Sequence, residues 1–504
     1  MRAFTLAFVL PLAPAAAQFD FKFDRFSPGR LGEPLSLAFS GAPANTTLLF
    51  LMSTTAGPLP LSLVSPGDTR SLEVGIDLAH VWFATPTGSG TGSITLPVPA
   101  NPELHGLTLR FQTVTLPGTT FLIDKISNPL AAQFGTPDRA TRLAASLTTA
   151  RSLGSITGHD MNHEVVFGGG GAGSILNPVA LDTSEVLDVR RLTVRPGPRL
   201  TTARALAATV PLADGRTLVC GGVDANGNVL RSAEVYDPAQ RAFVPVGNML
   251  TARCLHAATR LQDGRVLVVG GTTVFTDPVG ALANAQSSAE IFNPATGTWS
   301  SAAAAYTRLL APALDTLPDG RVLLSGGFEV QVIIIPLPIG AVSSCRIYNP
   351  ATGTWSNAPN MRTARALHDT TTLLLPNGDL LVTGGATSGP DLTQATPIAK
   401  AEIYRVSSNT WTALPDMLQP VLGHSLFLLG NRAVVAGGAQ GTLTAITATA
   451  AVQALDLTGL TWSPLPPLNE ARGGQGTVVT NDGMAVLLGG QGSSAALATI
   501  DAIR

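Results

Sequence analysis

The stretch TARCLHAATRLQDGRVLVVGG, residues 251–271, together with AEIFNPATGTW, residues 289–299, decides the fold of this chain. It begins with one short strand, turns at Asp263–Gly264 as type I′ hairpins prefer, and continues as an apolar strand that ends at Gly270–Gly271. A third strand follows, an Asn-Pro turn reverses the chain, and Trp299 lies in a fourth strand. Four short antiparallel strands of this kind predict one blade of a β-propeller.

The Gly-Gly pair that ends the second strand recurs at nearly even spacing. The intervals between successive pairs are 53, 49, 56, 58, 53 and 52 residues. A period of about fifty residues is typical of arrays in which each repeat is one small sheet. The pairs begin at Gly168, Gly221, Gly270, Gly326, Gly384, Gly437 and Gly489. The chain is therefore predicted to contain seven blades.

A second periodic signal links the third and fourth strands of each unit. A large side chain on the third strand is followed seven residues later by another on the fourth. The pairs are Leu187 and Val194, Tyr236 and Phe243, Phe292 and Trp299, Tyr348 and Trp355, Tyr404 and Trp411, and Leu455 and Trp462. We predict that these side chains pack between adjacent blades.

The apolar run before Gly-Gly, the tyrosine and the tryptophan together resemble the kelch repeat, from about residue 140 to residue 504. The resemblance implies a β-propeller but no single activity, because the family includes binding scaffolds and a minority of enzymes. Residues 18–135 lack the repeat and show short alternating runs between Gly- and Pro-rich turns. We predict an all-β protein: a small N-terminal β-sandwich over 18–135, then a seven-bladed kelch-like β-propeller over 136–504.

Residues 1–17 have the features of a secretory signal peptide. Arg2 precedes an apolar stretch, and Ala15–Ala17 provides a small-residue cleavage site. No later apolar run is long enough to span a bilayer, so no transmembrane anchor is expected. The net charge of -2 provides no basic excess for nucleic acid. We expect a monomer that is secreted or periplasmic.

Six arginines lie at the start of the predicted first strands, while the sixth unit has Val421 there. Radial repetition is expected to bring these side chains around one opening, on the face that carries the long loops. Converging guanidinium groups suit a carboxylate, a sulfate or an acidic glycan. The alternative is that each arginine pairs with a third-strand glutamate of its blade: Glu185, Glu234, Glu290 or Glu402. The proposed ligand-binding residues are Arg151, Arg204, Arg253, Arg308, Arg365 and Arg472.

The long loop of the fourth unit, residues 330–339, is strongly apolar. Such a segment, if exposed, marks a contact with a protein or a membrane. The alternative is that it folds over the channel mouth or packs on the N-terminal domain. The residues proposed for contact are Ile333, Ile334, Ile335 and Leu337.

Histidine recurs near the start of the first strand, as His256, His368 and His424. No cluster of carboxylates or cysteines accompanies these residues, so packing is favoured and neither a metal nor a cofactor is predicted. Copper radical oxidases that resemble galactose oxidase need two tyrosines, two histidines and a cysteine cross-linked to one tyrosine. The chain has four tyrosines, and only Tyr306 lies outside the structural repeat positions. No convincing pair of catalytic carboxylates is evident.

These features favour a non-enzymatic scaffold whose long-loop face binds an extracellular protein or an anionic glycan or small molecule. The alternative is a carbohydrate-active enzyme or a copper radical oxidase that resembles galactose oxidase.

The seventh unit ends at Arg504, before the seven-residue spacing from Ile500 would place a fourth strand. An unpaired edge strand leaves the last blade open. We predict that a segment within 119–134, best represented by Phe121–Ile123, pairs with the third strand of the last blade.

Overall fold

A computed structural model describes residues 21–43, 46–63, 68–75, 77–84, 89–116, 123–159, 164–172, 178–332 and 336–504. The predicted signal peptide and residues 333–335 lie outside these ranges. The chain divides into two compact units. Of the described residues, those within 21–27, 34–97 and 107–132 form the first unit, and those within 28–33, 98–106 and 133–504 form the second. The described residues include no helix that is long and apolar enough to cross a membrane.

The first unit is built from antiparallel strands. One sheet has the order Lys22–Arg25, Leu35–Ser40 and Gly92–Leu96. The other has the order Leu78–Ala84, Thr47–Ser53, Thr108–Leu116 and Leu130–Gln133. A hairpin pairs Ala56–Pro60 with Ser71–Val74, and a 3-10 turn spans Leu61–Leu63. Alternation along Leu35–Ser40 buries every second side chain, and the ring of Phe50 packs 5.7 Å from Phe23 and 5.8 Å from Phe39.

The second unit contains, among the described residues, seven four-stranded antiparallel sheets, which we number as blades I to VII. Blade I has strands Ser155–His159, Glu164–Gly168, Ser184–Asp188 and Thr193–Pro196, and blade II has Ala208–Pro211, Thr217–Cys220, Ala233–Asp237 and Ala242–Pro245. Blade III has Ala257–Arg260, Val266–Val269, Ala289–Asn293 and Thr298–Ala302, and blade IV has Ala313–Thr316, Val322–Ser325, Cys345–Asn349 and Thr354–Ala358. Blade V has Thr372–Leu374, Leu380–Thr383, Ala401–Arg405 and Thr410–Ala413, and blade VI has Ser425–Leu429, Arg432–Ala436, Val452–Asp456 and Thr461–Leu465. Blade VII has Gly476–Val479, Ala485–Leu488, Ile500–Ile503 and, as its outer strand, Thr141–Arg142. The predicted kelch-type, all-β fold is confirmed.

The second strands are buried on both faces, as their continuous apolar sequences require. Each ends at its Gly-Gly pair because the next blade approaches there. A Cβ on Gly221, whose φ is +65°, would lie only 2.3 Å from the backbone oxygen of Arg253. The amide of Gly222 instead donates a hydrogen bond to that oxygen at 3.0 Å. The glycines therefore let neighbouring blades meet backbone to backbone.

The seven-residue spacing places each large pair side by side across the third and fourth strands. The ring centroids of Tyr348 and Trp355 are 5.0 Å apart, and those of Tyr404 and Trp411 are 5.1 Å apart. The Trp411 indole N–H also donates to the backbone oxygen of Pro359, in the segment that follows blade IV, at 3.0 Å. In blades III to VI the tryptophan of the pair thus joins its blade to the segment that follows the preceding blade.

The last blade is closed by residues other than those predicted. Thr141 pairs with Ala502 and Arg142 with Asp501, and the Leu143 amide donates to the oxygen of Ile500 at 3.0 Å. A segment before the first blade does close the ring, but the choice of 119–134 is wrong. Residues 117–122 lie outside the described part of the chain. Thr141–Arg142 directly precedes blade I, so no long connection has to be ordered.

The second unit contains further elements outside the blade strands, most of them in the long loops between second and third strands. Arg308–Leu310, Phe328–Val332 and Pro336–Ala341 form a three-stranded sheet, and Ala386–Thr387 pairs with Thr396–Pro397. Ala439–Thr442 pairs with Ala445–Ala448. A helix spans Pro278–Ala283, and 3-10 turns span Pro102–Leu104, Asp369–Thr371 and Leu392–Gln394. Buried side chains of these loops form one apolar cluster with Ala366 and Leu422, two residues at the start of blades V and VI.

Candidate functional site

The strand-one arginines lie inside the blades rather than around an opening. Arg253 is fully buried, and its guanidinium donates to the backbone oxygens of Gly270 and Ser288 at 2.8 and 3.2 Å. It also pairs with Glu290 at 2.5 Å. The same burial and ion pairing hold for Arg151 with Glu185, Arg204 with Glu234, Arg365 with Glu402, and Arg472 with Asp501. The expectation that these five arginines converge on a ligand is wrong, and the alternative pairing within the blade is what the structure shows.

Arg308 does not occupy the position of the other five arginines. In the other blades the glycine amide bonds to the backbone oxygen of the arginine, as Gly222 does with Arg253. In blade IV the equivalent oxygen belongs to Leu309, which accepts from Gly271 at 2.9 Å. Arg308 is one residue earlier, in the strand Arg308–Leu310, and is partly exposed. Its assignment to the ring was therefore wrong by one position.

The two blades that lack the arginine also lack the glutamate. Blade VI has Val421 and Gln453, and blade IV has Leu309 and Arg346. The Gln453 side-chain oxygen accepts from the Leu418 amide at 2.6 Å, as the Glu290 carboxylate accepts from Leu250 in blade III. A buried carboxylate thus occurs at this position only together with its cation, as the cost of burying an unpaired charge requires.

The structure describes only part of the apolar loop that was predicted to contact a partner. Leu337 lies in the strand Pro336–Ala341 and is 47% exposed. Ile333, Ile334 and Ile335 lie outside the described residues.

The recurring histidines lie between blades and face hydroxyl or thiol groups. His368 Nε2 is 3.1 Å from Ser325 Oγ, and His424 Nε2 is 2.9 Å from Thr383 Oγ1. His256 Nε2 is 3.7 Å from the Cys220 sulfur. Burial lowers the pKa of His256 and of His424 to about 3 and lowers that of His368 well below its ordinary value. These are neutral packing residues of the blade interfaces.

The residues that a copper–tyrosyl centre would need are not brought together. Tyr236, Tyr348 and Tyr404 are buried in their aromatic pairs, while Tyr306 is 70% exposed beneath the guanidinium of Arg346. Cys220, Cys254 and Cys345 are buried as free thiols. Among the described residues, no group of three His, Cys, Asp or Glu side chains is placed to hold a metal ion. The described donor set therefore does not fit this cofactor.

Two carboxylates that sequence reasoning did not select lie side by side between blades IV and V. Asp315 is in the first strand of blade IV, and Asp369 is in the 3-10 turn before the first strand of blade V. Thr372 Oγ1 donates to Asp315 Oδ1 at 2.7 Å, and the Leu314 amide donates to Asp369 Oδ1 at 3.1 Å. Each carboxylate is thus held by a group of the other blade.

The surroundings of the pair favour its protonated form. Burial raises the pKa of Asp315 to about 7, against the opposing hydrogen bond from Thr372, and Asp315 Oδ2 accepts no hydrogen bond from the described residues. Burial and then the charge of Asp315 raise the pKa of Asp369 to about 8. The Asp369 side chain is exposed, so water weakens the effect of burial, but repulsion by Asp315 still acts upward. Repulsion between the two carboxylates therefore raises the pKa of the pair and favours its protonated form.

A cavity of about 590 Å³ lies along the first strands of blades II, III and IV. First strands of neighbouring blades contact one another, so they form the inner wall of the propeller. The lining includes Thr209, Thr259, Gln262 and Thr316, the last adjacent in sequence to Asp315. Gly264, in a short hairpin turn, also lines it. The cavity therefore opens at the short-turn end, whereas the sequence directed attention to the long-loop face.

The sequence gives only a weak indication of the Asp315–Asp369 pair. At the position of Asp315, the equivalent residues in the register of blades II, III and VII are Val210, Thr259 and Val478. An acidic residue in such an inner strand is exceptional. Asp369 lies in an extra turn that lengthens the start of blade V. Their proximity depends on the packing of two blades, which a linear pattern does not show.

Comparison with known proteins supports the repeat assignment. A family model described as Kelch motif matches residues 204–250 and 253–304. The "Kelch-like protein terF" of Aspergillus terreus is 26% identical over 148 residues, which are 28% of this chain and 31% of that protein. The match thus spans less than a third of the relative.

A solved structure shares the fold. It is described as a novel fungal alcohol oxidase with catalytic diversity among the AA5 family, in complex with copper. It aligns with a TM-score of 0.55 and 14% identity over 72% of this chain and 75% of that chain. At this identity the likeness concerns the fold.

The prediction of a non-enzymatic binding scaffold is wrong. The arginine ring on which it depended is internal, and the solved structure similar to this chain is an enzyme. The Kelch-motif matches coincide with blades II and III, so these two blades are kelch repeats, and the other five blades of the second unit share their four-stranded antiparallel pattern.

Proposed function

We propose that the protein is a carbohydrate-active enzyme in which Asp315 and Asp369 act as an acid–base pair on a hydroxylated substrate. The observation that carries the proposal is the pair of reciprocal hydrogen bonds that hold these two carboxylates between blades IV and V. Neither carboxylate lines the polar cavity itself, which reaches blade IV at Thr316, the residue after Asp315. Titratable groups with raised pKa values beside a cavity are typical of catalytic sites. The similarity to an oxidase fold agrees with an enzymatic role and leaves the reaction open.

The cavity suits a sugar better than an apolar molecule. Threonine hydroxyls, the Gln262 amide and the Arg260 guanidinium offer hydrogen bonds to substrate hydroxyls. Its volume of about 590 Å³ lies within the range of about 300–1,000 Å³ that is typical of ligand sites. The predicted signal peptide is consistent with an extracellular glycan as the substrate.

The chemistry we infer is hydrolysis of a glycosidic bond. Asp369, the more exposed acid of the two, donates its proton to the leaving oxygen as the C–O bond breaks. Asp315 accepts a proton from the water whose oxygen forms the new bond to carbon. Water is consumed, both products carry hydroxyl groups, and the pair regains its starting protonation after one proton exchange with solvent.

The test is a screen of the purified protein against p-nitrophenyl glycosides, with Asp369→Asn and Asp315→Asn variants. General acid–base catalysis contributes about 10²–10⁴-fold, so each variant should lose at least about a hundredfold in kcat. Asp319→Asn is the matched control, because Asp319 lies in an exposed hairpin turn and pairs with Arg321. Its activity should equal that of the parent protein.

A parallel assay follows peroxide release from primary alcohols, with and without added Cu²⁺. Copper-dependent peroxide that persists in Asp369→Asn would replace the proposed hydrolase with an oxidase. Glycoside hydrolysis that is unaffected by both aspartate variants would overturn the assignment of the pair.

A further inference from the structure

One residue in each blade has a left-handed backbone, two positions after Arg253 or the residue equivalent to it. These residues, with φ between +51° and +59°, are Leu153, Leu206, Leu255, Ala311, Leu367, Gly423 and Gly474, and we call them the axial ring. Backbone hydrogen bonds link four of the neighbouring pairs in the ring. The amide of Leu367 donates to the oxygen of Ala311 at 3.0 Å, and that of Gly474 to the oxygen of Gly423 at 2.8 Å.

The ring is filled on one side and open on the other. Leu206, Leu255 and Leu367 project into an apolar cavity of only about 60 Å³, closed by loop residues such as Phe275 and Phe328. Where the ring residues are Gly423 and Gly474, a cavity of about 340 Å³ remains. The backbone does not by itself demand glycine at these two positions, because five sister residues have side chains at nearly the same φ. The missing side chain at Gly423 therefore leaves the larger cavity open, whereas at Gly474 a Cβ would lie 2.8 Å from a terminal carbon of Leu153, which already occupies that space.

The steric environment of Gly423 supports this interpretation. A Cβ built on Gly423 would meet only the Gly474 nitrogen, at 3.6 Å, which is an ordinary contact. Space for a larger side chain is therefore available there and remains unused.

The residues that line this cavity are uncharged, and they include both apolar and polar side chains. Leu153, Leu422 and Ile446 provide an apolar wall, while Ser152, Thr444 and Gln491 provide polar groups. The described residues that line it include no Asp, Glu, Lys or Arg. Gln491 Oε1 accepts no hydrogen bond from the described residues, so this side-chain amide has an unused acceptor for a ligand hydroxyl.

We propose that the cavity over Gly423 and Gly474 is a second binding site, which takes a small uncharged molecule with an apolar ring and a hydroxyl group. An ion is disfavoured because no lining charge would compensate the loss of its hydration. The site is independent of the acid–base pair: it lies at the long-loop end, between blades VI, VII and I. Its failure or success therefore leaves the proposed hydrolysis untouched.

Three probes of matched shape test the proposal: cyclohexanol, cyclohexanecarboxylate and cyclohexylamine. In saturation-transfer NMR we expect a signal from cyclohexanol with the parent protein and none from the two charged probes. Gly423→Leu places the sister residue of blades I, II, III and V into the cavity, so cyclohexanol affinity should fall at least tenfold. Ala445→Phe, at an exposed rim position, should obstruct entry without touching the core.

Gly430→Leu is the matched control. Gly430 has φ +60°, its built Cβ meets nothing within 4 Å, and it lies in the short turn of blade VI. It has the same backbone strain as Gly423→Leu but should leave cyclohexanol binding unchanged. Absence of cyclohexanol binding to the parent protein, equal binding of the charged probes, or unchanged binding to Ala445→Phe and folded Gly423→Leu would each overturn the proposal.

Discussion

A stability test can be designed by comparing two blades. Blade VI has the neutral residues Val421 and Gln453 where blade III has the buried ion pair Arg253–Glu290. The perturbation is Arg253→Val, which gives blade III the residue that blade VI has at Val421. In this variant the Glu290 carboxylate, with a side chain only 3% exposed, keeps its hydrogen bonds from the Leu250 and Thr251 amides but loses its cation.

The expected magnitude follows from the contacts that are lost. Removing one partner of a buried ion pair costs about 3–5 kcal/mol, since the remaining charge is uncompensated. The double variant Arg253→Val/Glu290→Gln recreates the Val421–Gln453 pair, and a neutral glutamine still accepts the Leu250 hydrogen bond, as Gln453 does from Leu418. The backbone oxygens of Gly270 and Ser288 and the Ser288 hydroxyl then lack the guanidinium, and the Thr251 amide loses its acceptor, at about 1 kcal/mol each. Both variants lose the same hydrogen bonds from Arg253, but only Arg253→Val keeps an uncompensated buried charge, so the double variant should be the more stable of the two.

The assay is urea unfolding of the parent protein, both single variants and the double variant, followed by tryptophan fluorescence and circular dichroism. Coincident transitions from the two probes would justify a two-state free energy. The arginine and glutamine changes should be strongly coupled, with the second change restoring stability that the first removed. The electrostatic account of the Arg253–Glu290 pair would be refuted if the losses of unfolding free energy in the two single variants added up to that of the double variant, or if Arg253→Val were as stable as the parent protein.

Three further predictions concern pH, ring closure and the thiols. A histidine in the unfolded chain binds a proton below about pH 6.5, whereas burial lowers the pKa of His256 and His424 in the folded protein to about 3. The folded protein should therefore lose stability as the pH falls from about 6.5 towards 3. Melting temperatures recorded between pH 7 and 4 should decrease less in His424→Gln than in the parent protein. Leu143→Pro removes both the apolar side chain and the amide that bonds to Ile500, so its midpoint in urea should lie below that of Leu143→Ala; equal midpoints would show that closure does not depend on this hydrogen bond. Burial raises the pKa of Cys220, Cys254 and Cys345 to about 12, so Ellman's reagent should find no reactive thiol in the native protein and three after denaturation, and rapid native labelling would contradict the burial.

Most of the propeller could be predicted from sequence because its signals are local and repeated. The apolar run before Gly270–Gly271, the Asp263–Gly264 turn and the spacing from Phe292 to Trp299 each report on neighbouring strands of one blade. Repetition at a nearly constant interval then identifies the array, since each unit needs its neighbours to bury its faces.

The candidate site was less predictable because its geometry depends on contacts between repeats. The shared position of five arginines correctly indicated a shared environment, but their sequence did not distinguish an open ring from buried clamps. Arg308 was placed in the ring because it is an arginine near the expected position, whereas the backbone register assigns that position to Leu309. Asp315 and Asp369 meet only because blades IV and V pack side by side.

The sequence by itself determined the all-β class, the repeat length and the strand pattern of each blade, because hydrophobic periodicity and turn chemistry act over a few residues. Only the tertiary structure decided that Thr141–Arg142 closes the last blade, that five arginines are buried, and that Gly423 leaves a cavity open where sister leucines leave almost none. These outcomes depend on which side chains fill the space between blades, and that space exists only after the chain has closed into a ring.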